Sequence, residues 1–266
     1  MPPIESTLRS WADDLVATRF GASAAPRRPY GYQQVAGTPT WVTGEREQPE
    51  YVLLHGLPLD SDSWAHITGR LDAPTLAADL PGLGRSGPAH RPIDAWLAEL
   101  LRPVRTRPAL VAHSLACGPA VRYAAAHPDR VSRLVLVAPA FLQAPSPRPL
   151  RSRLAAPLLR RMSAPRLART LGVPEGPAVT GAAAGLARPG QARRIIAAMR
   201  ASHAARHELR QALDQVSVPV EIAVGSADPL TVAVTTPVTT IEGAGHYPQL
   251  THPDELLRVI STALVP

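Results

Sequence analysis

Short apolar runs of four to six residues, separated by turn-forming residues such as Gly, Pro and Asp, recur along much of the chain. A short continuous apolar run bounded by turn residues is typical of a β-strand that is buried on both faces. The first two runs are separated by Ala36 and Gly37 and predict a hairpin, in which Pro39 indicates an edge position. The strands predicted from this pattern cover residues 30–35, 38–43, 51–55, 74–78, 109–112, 134–137, 219–224 and 238–242.

Helical spacing of apolar residues marks several other segments. Helices are predicted at 92–101, 115–126 and 253–264, and residues 4–20 predict an amphipathic helix that covers the protein's own body. From residue 141 to about 215 the strand pattern stops, and Ala-, Leu- and Arg-rich helical segments broken by prolines replace it. The alternation of strands and helices predicts an α/β fold, with a mostly parallel sheet of about eight strands and helices on both faces.

The strand at 109–112 runs directly into the helix at 115–126, and Ser114 lies at the corner between them. A serine at such a sharp turn has a strained backbone and an exposed hydroxyl, so the residues two before and two after it must be small. Here those residues are Ala112 and Ala116. The pattern therefore makes Ser114 the candidate nucleophile.

Asp228 and His246 follow the last two predicted strands, at the ends where open α/β sheets hold their active sites. A serine hydroxyl needs a base near neutral pH, and imidazole, with an ordinary pKa of about 6.5, suits that role. A carboxylate beside the imidazole fixes its tautomer. We therefore predict that His246 takes the proton of Ser114 and that Asp228 orients His246. Taken singly, Asp228 also suits a turn before Pro229, and His246 an ordinary loop.

With their surroundings, these residues resemble the α/β-hydrolase family, whose nucleophile turn is usually written G-x-S-x-G. Alanines replace both glycines in this chain. The string DLPGLGRSG at residues 79–87 resembles the D-x-P-G-x-G-x-S loop of the family, and His55 with Gly56 resembles its His-Gly oxyanion loop. The resemblance implies an oxyanion hole formed by the backbone N–H groups of Leu57 and Leu115.

The resemblance also implies how the chain is divided. A core is expected from residues 1–140 and 216–266, with a helical cap at 141–215 inserted after the sixth strand. His113, commonly a histidine in the family, has no catalytic role in this interpretation. No acid follows the sixth strand, so an alternative family position for the triad carboxylate is empty. The connection 229–237 is a poor helix, and we expect a thinly covered sheet edge that invites a dimer contact or the N-terminal helix.

Composition excludes several classes of protein. The chain has 266 residues, of which 45% are hydrophobic, and this is enough for one domain with a full core. Its single cysteine, Cys117, excludes an intrachain disulfide and a thiolate metal site. We expect no cofactor and no metal. Because no signal-like or membrane-length apolar run is present, we expect a soluble cytoplasmic monomer or homodimer with no membrane or nucleic-acid partner.

Positive charge is concentrated in one part of the chain. All 28 basic residues are Arg, and the absence of Lys and Asn indicates the codon usage of a GC-rich genome. Residues 141–215 contain 13 Arg against Glu175, Glu208 and Asp214, a balance of +10 within a net charge of +7. This predicts a small-molecule substrate that is anionic or tethered to an acidic carrier protein. A solvated Arg-rich surface is the alternative.

The candidate triad predicts a serine-dependent hydrolase that acts on a small ester, lactone, thioester or activated C–C bond through an acyl-enzyme. Epoxide hydrolases and haloalkane dehalogenases are disfavoured, because those relatives have Asp at the position of Ser114. Two alternatives stay open. One is a non-hydrolytic enzyme of the family, such as a lyase, a cyclase or a cofactor-free oxygenase, and the other is a ligand-binding receptor with a weak triad.

Overall fold

A computed structural model describes residues 30–144, 152, 155–231 and 237–262, so the helix predicted at 4–20 lies outside the described residues. The strands are β1 (Tyr30–Val35), β2 (Thr38–Gly44), β3 (Tyr51–Leu54), β4 (Thr75–Ala78), β5 (Ala109–His113), β6 (Arg133–Val137), β7 (Val220–Gly225) and β8 (Thr239–Ile241). They form one sheet in the order β1-β2-β4-β3-β5-β6-β7-β8. β2 is antiparallel to β1 and β4, and all other neighbours are parallel. The predicted α/β sheet is confirmed.

The central strands β3, β4, β5 and β6 are buried along their whole length. Successive residues point to opposite faces, so that Leu54 and Ala112 belong to one hydrophobic core and Leu53 and Val111 to the other. Because both faces of the sheet are buried, the strand sequences are continuous apolar runs and do not alternate between apolar and polar residues. Leu54 pairs with both Ala78 and Ala112, so the loops after β3, β4 and β5 leave from one edge of the sheet.

Helices cover both faces of the sheet, as predicted. The described helices are α1 (Ala65–Thr68), α2 (Ile93–Leu101), α3 (Cys117–Ala126), α4 (Ala156–Arg160), α5 (Ala164–Leu171), α6 (Pro177–Ala187), α7 (Gln191–Ala204), α8 (Arg206–Asp214), α9 (Pro248–Thr251) and α10 (Pro253–Thr262). Of these, α2 to α8 contribute to the core on one face, and α1 and α10 contribute to the core on the other. None of the described helices is long and apolar enough to cross a membrane. Short 3-10 turns lie at Ser61–Trp64, Ser114–Ala116, Pro128–Arg130 and Ala140–Leu142.

Helices α4 to α8 lie between β6 and β7 in the chain, where the cap is expected. α4 packs on α6 and α7, and α5 packs on α6. α8 instead packs on α3, where Leu209 approaches so closely that a Cβ on Gly118 would lie 3.1 Å from it. The helical segment thus joins the body of the molecule through α8, and also through α6 and α7, which contact the 3-10 turns after β3, β5 and β6. The division into a core of 1–140 and 216–266 and a cap of 141–215 stays a prediction.

The edge position expected for Pro39 is wrong. β2 lies between β1 and β4, but only its last three residues pair with β4. At Pro39, the backbone carbonyl accepts the N–H of Gly87 at 2.7 Å. Because the nitrogen and oxygen of one residue point to the same side of an antiparallel strand, the proline nitrogen faces the loop at 79–87. No ladder hydrogen bond is lost there, and the proline is tolerated inside the sheet.

Candidate active site

Ser114 lies at a sharp turn between β5 and α3. β5 ends at His113, and α3 begins at Cys117. The φ angle of Ser114 is +53°, a left-handed conformation that is unusual for a residue with a side chain. Gly56 allows the loop after β3 to approach this turn, since a Cβ on it would lie 2.6 Å from His113 Nδ1 and 2.8 Å from Ser114 Cβ. The glycine of the His-Gly pair is therefore a steric requirement of this site.

The three side chains of the predicted triad form one hydrogen-bonded chain. The Ser114 hydroxyl donates to His246 Nε2 at 2.9 Å, and His246 Nδ1–H donates to Asp228 Oδ2 at 2.8 Å. The N–H of Leu230 donates to the other carboxylate oxygen of Asp228 at 2.9 Å. Burial alone would raise the pKa of Asp228, but its hydrogen bonds and the neighbouring His246 hold that pKa below its usual value. Asp228 is therefore an ionised acceptor for the imidazole.

Gln143 is a fourth member of this cluster that the sequence pattern does not reveal. Its Nε2–H donates to Asp228 Oδ2 at 2.6 Å, and the same nitrogen lies 3.2 Å from His246 Nδ1. The side chain is buried and follows the 3-10 turn after β6. Because the acid of a triad is a carboxylate, the neutral amide of Gln143 does not stand out after the sixth strand. The signal available was a lone polar residue beside the apolar pair Phe141 and Leu142.

His113 and Tyr247 hold the loop that carries His246. His113 Nε2–H donates to the backbone carbonyl of His246 at 2.8 Å. Burial lowers the pKa of His113 to about 3, so its ring stays neutral. The Tyr247 ring packs edge-on against the His246 ring with centroids 4.9 Å apart, and its hydroxyl donates to the carbonyl of Leu57 at 2.9 Å. This loop is thereby tied to β5 and to the loop after β3.

His55 ties the loop after β3 to the loop after β4. Its Nδ1–H donates to the carbonyl of Gly56 at 3.1 Å, and its Nε2 accepts the N–H of Leu80 at 2.8 Å. Burial lowers the pKa of His55, which favours the neutral ring with one donor and one acceptor nitrogen. In the described part of the chain, neither the Leu57 nor the Leu115 N–H donates to another backbone carbonyl. Their assignment to an oxyanion hole stays a prediction.

Comparison with known proteins identifies the family. The model of the family described as "Alpha/beta hydrolase family" matches residues 51–259. The chain belongs to the alpha/beta hydrolase family. Membership supports an enzyme with hydrolase activity as the general class of reaction. No curated protein matches the sequence of this hydrolase.

Solved structures share the fold of this hydrolase over most of their length. Cfl2 from Burkholderia cenocepacia is 22% identical over 90% of this chain and 97% of that chain, with a TM-score of 0.73. The thioesterase domain from the curacin biosynthetic pathway is 16% identical over 89% of this chain and 100% of that chain, with a TM-score of 0.67. E-2-(acetamidomethylene)succinate hydrolase is 20% identical over 89% and 98%, with a TM-score of 0.68. At these identities the likeness shows the fold alone.

The loop at 79–87 of this hydrolase contains a buried ion pair. Arg85 donates to Asp79 Oδ2 through its backbone N–H at 2.7 Å and its Nε–H at 3.0 Å, and Ser61 donates to Oδ1. Burial would raise the pKa of Asp79, but the Arg85 guanidinium holds it well below its usual range. Arg85 also pairs with Asp62 and lies over the Trp41 ring. The sequence indicates a tight turn here, and the structure adds the charge network that fixes it.

A cavity of about 340 Å³ lies beside Leu57 and Leu115 in the hydrolase. Its walls come from the loop after β4 and from α2, α3, α7 and α8, and they are mostly apolar. The volume is within the range of small-molecule sites. Among the residues that the structure describes, no group of three His, Cys, Asp or Glu side chains is placed to hold a metal ion. Leu115, the residue after Ser114, places this cavity beside the cluster of Ser114, His246 and Asp228.

Proposed function

We propose that this hydrolase is a serine-dependent enzyme that cleaves a small ester, lactone, thioester or activated C–C bond through an acyl-enzyme. The observation that carries the proposal is the unbroken hydrogen-bonded chain from Ser114 Oγ through His246 to Asp228. Its two distances, 2.9 and 2.8 Å, lie within the range of about 2.6–3.2 Å that proton transfer requires. The short connection between the acid and the histidine is compatible with this geometry.

In the first half of the proposed reaction, Ser114 Oγ attacks the substrate carbonyl carbon as His246 Nε2 takes its proton. The negative charge moves to the carbonyl oxygen, which the N–H groups of Leu57 and Leu115 would stabilise. Ionised Asp228 holds the imidazolium in place without taking its proton. His246 then gives the proton to the leaving group, the bond to that group breaks, and the acyl group stays on Ser114.

In the second half, water replaces the leaving group. His246 takes a proton from the water as its oxygen attacks the acyl carbon, and the same two backbone N–H groups stabilise the second oxyanion. The bond to Ser114 Oγ breaks and His246 returns the proton to that oxygen. The acid product leaves, and the enzyme is restored. Each step uses only groups that lie within the cluster or in the adjoining turns.

Labelling with a fluorophosphonate probe tests the activated nucleophile. We expect intact-mass analysis to show one probe per chain, with the label at Ser114, and no label in Ser114→Ala. Ser132→Ala, at the opposite end of β6 from the site, is the control and should label as the wild type does. An unlabelled wild-type protein would contradict the proposal and favour the receptor interpretation.

Oxygen-18-labelled water separates hydrolysis from lyase or cyclase chemistry. The acyl-enzyme route places one solvent oxygen in the acid product, because water breaks the bond to Ser114. A lyase or cyclase would place none there. Product without solvent oxygen, or activity that persists in Ser114→Ala, would overturn the proposal.

A further inference from the structure

The cavity beside Leu57 and Leu115 has the character of a site for an acyl chain. Leu80, Ile195 and Leu209 are among the side chains that line it. Leu57 and Leu115, the two residues assigned to the oxyanion hole, are part of its lining, so the cavity offers space to a substituent of a carbonyl held there. An apolar wall favours a hydrocarbon substituent, because burial removes its surface from water.

Two arginines interrupt this apolar lining, and they differ in their partners. Arg122 on α3 forms ion pairs with Asp94 at 3.3 Å and Glu208 at 3.0 Å. Arg194 on α7 has no carboxylate partner in the described part of the chain. Its side-chain partner there is the neutral oxygen of Gln191, at 3.2 Å from Nε and 2.9 Å from one terminal nitrogen. The charge of Arg122 is therefore neutralised, whereas that of Arg194 is not.

Gln191 fixes where the Arg194 guanidinium lies. The Gln191 side chain is only 5% exposed, and its amide N–H donates to the carbonyl of Gly82 at 2.5 Å. The Arg194 stem passes over Gly82, where a Cβ would lie 3.9 Å from its Cδ. Gln191 uses two of the five guanidinium N–H donors, which leaves three for a ligand. A guanidinium held in this way is arranged for a carboxylate, which accepts two parallel hydrogen bonds.

We propose that Arg194 binds a carboxylate at the far end of the acyl group, so that the enzyme prefers acyl substrates derived from dicarboxylic acids. The inference rests on the proposed hydrolytic function of the same site. The apolar lining holds the carbon chain, and Arg194 at the wall pairs with its charged end. Arg194 is itself exposed, so the preference comes from its hydrogen bonds to the carboxylate and not from burial of the ion pair. A neutral acyl chain gains only the apolar contacts.

Matched esters test the carboxylate preference. The substrates are the p-nitrophenyl hemisuccinate, hemiglutarate and hemiadipate, each paired with the p-nitrophenyl alkanoate that has the same number of acyl carbons. We expect the wild type to favour the carboxylated member of at least one pair. Arg194→Gln should lower that ratio of kcat/KM about tenfold, mainly through KM, as one charged hydrogen-bonded contact is lost. Arg194→Lys should restore part of it.

Arg193→Gln is the matched control, since Arg193 is an exposed neighbour on α7 that does not line the cavity. It removes the same charge from the same helix and should leave kcat/KM unchanged for both the carboxylated ester and its matched alkanoate. An equal fall in the ratio for Arg193→Gln would assign the effect to the overall charge of the helix. An unchanged ratio in Arg194→Gln would overturn the inference while Ser114-dependent hydrolysis stands.

A second pair of esters shows which side of the carbonyl the carboxylate occupies. In 4-butyryloxybenzoate, compared with phenyl butyrate, the carboxylate is on the leaving group. A fall in the kcat/KM ratio of this pair in Arg194→Gln, without a fall in that of the hemiester pairs, would show that Arg194 binds the leaving group. The assignment to the acyl group would then be wrong. If the wild type hydrolyses no ester above the level of Ser114→Ala, the proposed function itself fails. Calorimetric titration of glutarate then tests the carboxylate site by itself, in Ser114→Ala and in Ser114→Ala/Arg194→Gln. Binding about tenfold weaker in the double variant would support the site at Arg194. Equal binding to both variants would refute it.

Discussion

At the scale of single residues, the backbone of Ser114 is held in a conformation that its side chain does not favour. A non-glycine residue in the left-handed region costs about 1–3 kcal/mol. The surrounding turn maintains it, because Ala112 and Ala116 are completely buried and Gly56 closes on it without a side chain. The position of the hydroxyl therefore depends on packing by small residues as well as on its hydrogen bond to His246.

Removal of any triad side chain should lower kcat by at least about 10³-fold, since the three residues act as one unit. Ser114→Ala, His246→Ala and Asp228→Asn are the variants, and kcat with circular dichroism is the measurement. The losses should not add, and the spectra should match that of the wild type. A Ser114→Ala/His246→Ala double variant that is far slower than both single variants would contradict the assignment.

The meeting of Ser114, His246 and Asp228 was predictable from the sequence, because each follows a strand and their order is that of the family. Gln143 and Tyr247 were not predictable. Gln143 meets Asp228 across 85 positions of sequence, and Tyr247 meets Leu57 across 190. Such contacts depend on how loops from distant strands meet and on side-chain rotamers, and neither leaves a local pattern.

Gln143 should set the acid side of the pH profile. Its hydrogen bond is one of the causes that keep the pKa of Asp228 low. Without it, Gln143→Ala should raise the pKa of Asp228, so the ionised carboxylate that orients His246 is lost to protonation at a higher pH. Gln143→Glu should act more strongly, because a second carboxyl group replaces the donor.

Measurement of kcat/KM against pH should therefore show the acid limb moved to higher pH in both variants. At its optimum, Gln143→Ala should be about tenfold slower than the wild type, the effect of losing one hydrogen bond to a charged group. Gln215→Glu, at an exposed position after α8, is the control for added charge. Profiles that superimpose on that of the wild type would show that Gln143 has no part in holding Asp228.

At the scale of elements, loops that leave the same edge of the sheet after β3, β4 and β5 form one side of the site, and the loops after β7 and β8 carry Asp228 and His246. Neutral His55 joins the first two, and Gly56 joins the first to the turn at Ser114. Most strand boundaries were predictable, since apolar runs and turn residues mark them. The position of Pro39 was not, because the sequence does not state which side of a strand needs a donor.

Two glycine substitutions separate steric need from simple flexibility. Gly56→Ala should reduce kcat severely, because its Cβ would lie 2.6 Å from His113 Nδ1 and 2.8 Å from Ser114 Cβ. Gly185→Ala in α6 meets nothing within 4 Å and should stabilise the protein by about 0.5–1 kcal/mol. Both are measured by steady-state rates and urea unfolding. Equal activity of Gly56→Ala and the wild type would show that the loop after β3 does not press against Ser114.

At the scale of the whole molecule, two buried imidazoles link stability to pH. The folded-state pKa values of His55 and His113 are both lowered by burial, to about 3 for His113. The unfolded chain, with an ordinary histidine pKa of about 6.5, takes up these protons first. Stability is therefore complete above about pH 6.5 and is lost as the pH falls from there toward the folded-state values.

Urea unfolding between pH 7.5 and 4.5 should show this loss. Each imidazole that stays neutral in the fold contributes about 1.4 kcal/mol of lost stability per pH unit below 6.5. His113→Gln should reduce the slope by the amount of one proton, whatever its stability at pH 7.5. His90→Gln, at an exposed position, should leave the slope unchanged. A His113→Gln slope equal to that of the wild type would refute the linkage.

The hydrogen bond from Tyr247 to the carbonyl of Leu57 has a consequence for engineering the enzyme. This bond links the loop after β8 to the loop after β3. A foreign sequence grafted into either loop would therefore displace both His246 and the backbone N–H of Leu57. Side chains of α7 make no hydrogen bond to Ser114, His246 or Asp228 in the part of the chain that the structure describes. Libraries that seek new substrates should therefore randomise α7 and leave both loops intact.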